Sequence, residues 1–236
     1  MISAKLAYRV ALCAGVLALA VVFAFSLVPI RACGTVPSSA AVISAELART
    51  QDDVSAIFGA APGQPCTAQR AHDLNIQTMI DTVAFIPAYG LFLLFFFLAM
   101  VPRDEHAAFA GFVLTVAAVI ADYAENICLF HMIAHPAAPG WALALIPWAT
   151  GIKWLALGLA SAFGGMILIK SGRENYPAVL CCALGLLGPA LAIANPHLFK
   201  SFAPAVALSW IAFLVVVARN AFGSTVPQLE VEDGAA

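Results

Sequence analysis

The sequence predicts an all-α polytopic membrane protein, folded as a single integral membrane domain over residues 1–236. Hydrophobic residues make up 63% of the chain and charged residues 10%, and the mean hydropathy is +0.95. Apolar runs close to the ~20 residues that cross the hydrocarbon recur along the chain. They must span as helices, because lipid offers no partner for backbone polar groups. About six spans are expected, at 7–30, 75–101, 107–134, 141–169, 177–195 and 201–219.

The first span has a basic start, with Lys5 and Arg9 before or within its first turn. Its apolar part, Val10–Ile30, exceeds the 7–15 residues of a signal-peptide core, so we expect a retained helix. The positive-inside rule places the N-terminus in the cytoplasm. Other basic residues near span ends then share that side: Arg103, Lys170, Arg173 and Arg219. We expect a bacterial inner-membrane protein with both termini cytoplasmic and a flexible cytoplasmic tail at 220–236.

The loop at 31–74 faces outward on this topology. Within it, Ser39–Phe58 has the pattern of an amphipathic helix, with Ser38 or Ser39 as the N-cap and Gly59 at the end. Ile43, Leu47, Val54 and Phe58 form its apolar stripe, and Glu46, Arg49 and Asp53 lie on its other face. Such a helix lies along the membrane surface or over the mouth of the bundle. Surface packing is the simpler interpretation, and a functional lid is the alternative.

Two cysteines bracket this helix. Cys33 and Cys66 would both lie in an oxidising compartment, which favours a disulfide. Closing a loop of this length contributes roughly 3–4 kcal/mol to stability.

Four charged residues interrupt the predicted spans: Asp81, Asp122, Glu125 and Lys153. Each unpaired charge at the bilayer centre costs about 2.5–3.5 kcal/mol, so four would cost roughly 10–14 kcal/mol. That total rivals the stability of a whole domain, about 5–15 kcal/mol. The four residues therefore cannot all face lipid unpaired.

Depth along the helices suggests how these charges pair. Asp122 and Lys153 fall near the middles of neighbouring antiparallel spans, so we expect an ion pair between them. Asp122, Glu125 and Asn126 share one helix face. Asp81 and Glu125 remain as surplus acids, which must hold protons, share one, bind a cation or meet water. We therefore expect a binding site formed by Asp81, Asp122, Glu125, Asn126 and Lys153, although such a layer can also serve only to fix helix register.

His131 and His135 are spaced so that both could ligate one metal ion from a single helix face. The chain contains no H-E-x-x-H or C-x-x-C signature to support a metal site. Histidines at headgroup level are usually plain polar side chains, so this metal site is the weaker expectation. The sequence identifies no cofactor, and a proton and a metal cation are the two candidates.

Three functions fit this pattern. The first is a small transporter or proton/cation-coupled carrier, and the second is a membrane-embedded enzyme acting on a lipid or isoprenoid. The third is an accessory subunit whose polar layer fixes assembly. Expected partners are the bilayer and a small polar ligand, ion or lipid, with an oligomer possible. A net charge of −2 without a basic run argues against nucleic-acid binding.

Overall fold

The computed structural model describes residues 3–59, 65–194 and 199–222, and these ranges form helices without a β-strand. In chain order the helices are α1 (Ala4–Ser26), α2 (Ala41–Glu46), α3 (Gln51–Phe58), α4 (Pro65–Ile80), α5 (Ile86–Met100), α6 (Glu105–Ala134), α7 (Gly140–Lys170), α8 (Tyr176–Ala194) and α9 (Phe199–Phe222). A π-helical segment, Asp81–Phe85, joins α4 to α5. The predicted tail at 220–236 lies outside the described residues beyond Phe222.

The all-α fold class is confirmed. In the described part of the chain, five helices are long and apolar enough to cross a membrane: Ala4–Ser26, Cys66–Met100, Glu105–Ala134, Gly140–Lys170 and Ala205–Phe222. The run predicted as the fifth of six spans forms α8, a helix of 19 residues.

The long helices pack as a ring. The order around it is α1, α5, α6, α7, α8 and α9, with α9 returning to α1. Small residues allow close approach on the α7 side: a side chain at Gly164 would collide with the Phe213 ring, and the hydroxyls of Ser161 and Ser209 lie 2.9 Å apart. Small residues in membrane helices commonly serve this purpose.

The second membrane helix changes its winding just before Pro87. The π-helical segment Asp81–Phe85 precedes it, and the N–H of Ile86 donates to the carbonyl of Asp81, five residues earlier. A proline removes one backbone donor from the helix, and a π-turn is a common way to accommodate the irregularity. Asp81 therefore stands at the first residue of the irregular turn, partly buried and facing α6.

Residues 28–59 fold over one end of the ring, and we call this segment the cap. The prediction of a single helix at Ser39–Phe58 is wrong in one respect, because the cap contains two helices, α2 and α3. The chain breaks because Thr50 caps α3 through a reciprocal capping box with Asp53. Gly59 ends α3 as expected, with a φ of +94° that suits glycine.

The cap is fastened to α4. The predicted disulfide between Cys33 and Cys66 is present. Arg70 of α4 is fully buried, and its guanidinium donates to the carbonyls of Arg31, Cys33, Val36 and Ile57 at 2.6–3.1 Å. Asp73 also accepts two side-chain hydrogen bonds from Arg31. The cap therefore has a fixed position above the ring.

Candidate functional site

Lys153 of α7 is the centre of the polar layer. Its side chain is 7% exposed, and its Nζ contacts three carboxylates. Glu125 is the nearest, through a short hydrogen bond; Asp122 Oδ1 lies at 3.3 Å and Glu46 Oε2 at 3.5 Å. The contact with Glu125 is a hydrogen bond, and those with Asp122 and Glu46 are ion pairs.

The expected ion pair between Asp122 and Lys153 is present, but it is not the shortest contact of the ammonium. Asp122 and Glu125 both come from α6, and their spacing of three residues directs them toward the same lysine. The second oxygen of Asp122 accepts a hydrogen bond of 2.7 Å from the hydroxyl of Tyr89 on α5. The layer therefore ties α5, α6 and α7 together.

The hydroxyl of Thr150 lies between Glu125 and the backbone of Glu46. It lies 2.5 Å from Glu125 Oε2 and 3.0 Å from the backbone carbonyl of Glu46. A threonine hydroxyl has one hydrogen, and a carbonyl oxygen cannot donate. The single hydrogen is therefore shared between two acceptors, the carbonyl of Glu46 and the carboxylate of Glu125. This contact ties the most deeply buried acid of the layer to the end of α2.

Asp81 lies beside the lysine cluster rather than in it. Its Oδ2 accepts a hydrogen bond of 2.6 Å from the side-chain amide of Asn126, and the same amide nitrogen lies 2.9 Å from the hydroxyl of Thr82. No cation forms an ion pair with Asp81 among the residues that the structure describes. The Asp81 carboxylate is therefore hydrogen-bonded to a neutral amide.

Glu46 is the site residue that sequence reasoning missed. It ends α2 of the cap, and we expected it on the solvent face of one continuous helix. Its side chain is instead 10% exposed, and its Oε2 makes no hydrogen bond within the described structure, only the long ion pair with Lys153. Burial, partly offset by the nearby ammonium, raises the pKa of Glu46 above its ordinary value of 4.5. The capping box at Thr50 was the available sequence signal, because it breaks the helix just after Glu46.

A cavity of about 470 Å³ borders the polar layer. This volume lies in the range typical of small-molecule sites. Side chains at its polar end include Glu46, Asp81, Asp122, Asn126 and Lys153. Most of the remaining wall is apolar or aromatic and comes from α1, α2, α5, α7 and α9.

The cavity reaches the apolar outer surface between α1 and α9. Leu19 and Val22 of α1 and Ile211 of α9 all line it, and each is about half exposed. Toward the other end of these helices, Gly15 packs closely against Leu214 and Phe92 and closes the seam. The opening therefore faces the surface that lipid would cover.

Aromatic rings form the wall nearest the acids. The rings of Tyr89 and Trp210 are stacked with centroids 5.1 Å apart, and Phe85 lies 5.3 Å from Tyr89 and 6.2 Å from Trp210. All three side chains line the cavity. The same tyrosine donates to Asp122, so the aromatic wall and the carboxylates are directly connected.

The two candidate metal ligands lie close together but apart from this layer. The rings of His131 and His135 are 4.8 Å apart, and His131 also lies 4.7 Å from the ring of Trp141. Within the described ranges, no group of three or more His, Cys, Asp or Glu side chains is arranged to hold a metal ion. A metal at His131 and His135 thus remains an expectation from spacing.

No protein-family model, curated protein or solved structure matches the chain. The function therefore has to be inferred from the polar layer and the cavity beside it.

Proposed function

We propose that the chain is a small membrane carrier for an amphiphilic molecule that it takes up from the bilayer. In this proposal the apolar part of the ligand fills the cavity and its polar head meets the carboxylate–lysine layer. The observation that carries the proposal is the continuity of one cavity from Asp81 and Lys153 to the half-exposed apolar side chains of α1 and α9. Such a shape suits a molecule with one polar end and one apolar end.

The proposal includes the topology expected from the sequence. Six helices span the bacterial inner membrane, α8 among them, and both termini lie in the cytoplasm. The cap then covers the extracytoplasmic end of the ring and supplies Glu46 from that side. The disulfide between Cys33 and Cys66 fits an oxidising compartment.

Coupling to protons is the second part of the proposal. Three carboxylates, Glu46, Asp122 and Glu125, contact one ammonium, and a fourth, Asp81, lies beside them without a cation in the described structure. A surplus of acids in a membrane site is typical of proton relays. Loading or release of a proton can then accompany ligand movement.

Enzymatic action on a lipid is the competing candidate. In its favour, carboxylates and a lysine meet at the end of a cavity that opens toward lipid, where they could act as general acid and base. Against it, none of the described residues that line the cavity is a serine, cysteine or histidine. Binding and carriage therefore explain the geometry with fewer assumptions than covalent catalysis.

An inert accessory role predicts paired charges and no cavity. The open volume beside Asp81 and Glu46 argues against it.

Tryptophan fluorescence offers a direct test of binding. Trp154 and Trp210 line the cavity, whereas Trp141 and Trp148 are 48% and 71% exposed. A Trp141→Phe/Trp148→Phe protein in nanodiscs keeps the two cavity reporters. Titration with a long-chain alcohol brominated along its chain should then quench their emission with saturation near one equivalent. Quenching that rises linearly with the probe would mean simple partitioning into lipid and would refute the proposal.

A matched pair of variants separates the cavity from the lipid around it. Ala207 lines the cavity, and its neighbour Leu208 is exposed but does not line it. In the two-reporter background, Ala207→Phe should abolish saturable quenching by filling the space. Leu208→Phe should leave it unchanged, and equal effects of the two substitutions would contradict the proposed site.

A further inference from the structure

We infer that the polar head of the ligand is an organic cation, an ammonium group that sits between the carboxylates at the end of the cavity and the partly exposed rings of Phe85 and Trp210. This inference rests on the proposed function and names its substrate class, a membrane-soluble amine. Three independent features of the cavity support it: its charge, the state of its lysine and its aromatic wall.

The charge that faces the cavity is negative. Glu46, Asp81 and Asp122 line it together with a single lysine. Asp81 is balanced by the amide of Asn126 rather than by a cation in the described structure. Glu46 Oε2 is buried and makes no hydrogen bond in the described part of the chain. An incoming ammonium would place a positive charge beside Asp81 and would donate a hydrogen bond to Glu46 Oε2.

Lys153 is not available to an anionic head. Its Nζ forms a hydrogen bond with Glu125 and ion pairs with Asp122 and Glu46, so carboxylates of the protein already neutralise its charge. A phosphate or carboxylate head would have to displace one of these contacts and would then face the remaining carboxylates at close range. The charge distribution therefore selects against anionic phospholipids and prenyl phosphates as ligands.

The aromatic wall provides a second kind of contact for a cation. Tyr89, Trp210 and Phe85 form one cluster with ring centroids 5.1–6.2 Å apart, next to Asp122. A cation within about 6 Å of such faces is attracted by the ring quadrupole, and sites for alkylated ammonium groups commonly combine aromatic faces. A neutral head such as an alcohol gains little from either the rings or the charge. The cavity is thus matched to an ammonium with a hydrophobic body.

The test compares heads on one constant tail. Brominated twelve-carbon chains bearing a primary ammonium, a hydroxyl or a phosphate head are titrated into the Trp141→Phe/Trp148→Phe protein in nanodiscs of zwitterionic lipid. We expect the ammonium probe to bind at least tenfold more tightly than the alcohol, and the phosphate probe to show no saturable quenching. Since this series uses one protein, it does not depend on the folding of a site variant.

Two variants then localise the preference. Asp81→Asn and Glu46→Gln should each weaken binding of the ammonium probe at least fivefold while leaving binding of the alcohol probe within twofold. Asp52→Asn, an exposed acid in α3, is the matched control and should change neither. This control also removes any contribution from general attraction of a cation to an acidic protein.

The outcomes distinguish the two proposals. Equal affinity for the ammonium and alcohol probes, or tighter binding of the phosphate, overturns the cationic head and leaves the amphiphile cavity standing. Linear quenching by all three probes overturns the cavity as a binding site, and the inference falls with it.

Discussion

Glu46 Oε2 of the cap lies 3.5 Å from Nζ of Lys153, a residue near the middle of the α7 membrane helix. The contact joins the segment outside the ring to the charge at its centre. It also sets the composition of the layer, because it adds an acid to a cluster that already contains Asp122 and Glu125. The properties of the site therefore depend on the position of the cap as well as on the membrane helices.

Replacement of the lysine should be strongly destabilising. Lys153→Met leaves Glu46, Asp122 and Glu125 without their cation, and breaking a buried ion pair on one side costs about 3–5 kcal/mol. Thermal unfolding of the purified protein in detergent measures the loss. Adding Glu125→Gln to Lys153→Met should recover part of it, because one of the uncompensated acids is removed.

Lys170→Met is the control for that substitution. Its ion pair with Asp104 is on an exposed side chain, and surface pairs contribute about 0–1 kcal/mol. A loss for Lys153→Met no larger than that for Lys170→Met would mean that the buried layer does not depend on its lysine.

The Glu46 carboxyl should make stability depend on pH in a defined direction. Because its pKa is raised in the folded protein, the folded state keeps this proton to a higher pH than the unfolded state does. Its contribution to stability is fully present below about pH 4.5, the ordinary value, and is lost as pH rises through the raised pKa. The free energy of unfolding of wild type minus that of Glu46→Gln should thus decrease as the pH rises above about 4.5.

Denaturant titrations of wild type and Glu46→Gln at several pH values measure this difference. If the Glu46 difference instead increased with pH, attraction to Lys153 would outweigh burial, contrary to the stated cause.

The hydroxyl of Thr150 should matter more than an ordinary buried hydroxyl. Thr150→Val keeps the shape but removes the bridge between Glu125 and the carbonyl of Glu46, and a buried polar group left unsatisfied costs about 1–3 kcal/mol. Thr150→Ser should retain most of the stability. Thr115→Val is the matched control, because that buried hydroxyl bonds only a carbonyl of its own helix at Gly111. Equal losses of unfolding free energy for the two valine variants would contradict the bridging role.

Reduction of the disulfide should loosen the cap. The Cys33–Cys66 bond has a sequence separation of 33 residues, and a closed loop of that size contributes about 3–4 kcal/mol. Cys33→Ser, or wild type with reductant, should unfold at a lower temperature. Reductant should have no further effect on the Cys33→Ser protein. A melting temperature of wild type that is insensitive to reductant, with loss of the bond verified by thiol labelling, would show that Arg70 alone holds the cap.

Membrane-helix bounds were largely predictable, because hydropathy and helix length dominate them. The span expected at 141–169 is the helix Gly140–Lys170, and that expected at 107–134 is Glu105–Ala134. The predicted bounds of the loop at 31–74 were less accurate. The last ten residues of this loop are helical in α4, because Arg70 and Asp73 are satisfied by the cap rather than by water.

The candidate site was predictable where it depends on helix spacing. Depth along α6 and α7 was enough to bring Asp122 next to Lys153, and their contact is present. Glu46 could not be found in this way, because its position depends on a turn between α2 and α3. The cavity could not be predicted from the sequence either, because its walls come from helices that are distant in the chain.

On the proposed topology, the α6–α7 ion cluster also constrains how the chain enters the bilayer during synthesis. Asp122 and Glu125 leave the ribosome before Lys153, so α6 on its own presents two acids without their cation. Entry of α6 and α7 as a pre-paired helical hairpin avoids that intermediate. The five residues between these helices, 135–139, are short enough to hold such a hairpin together at the translocon.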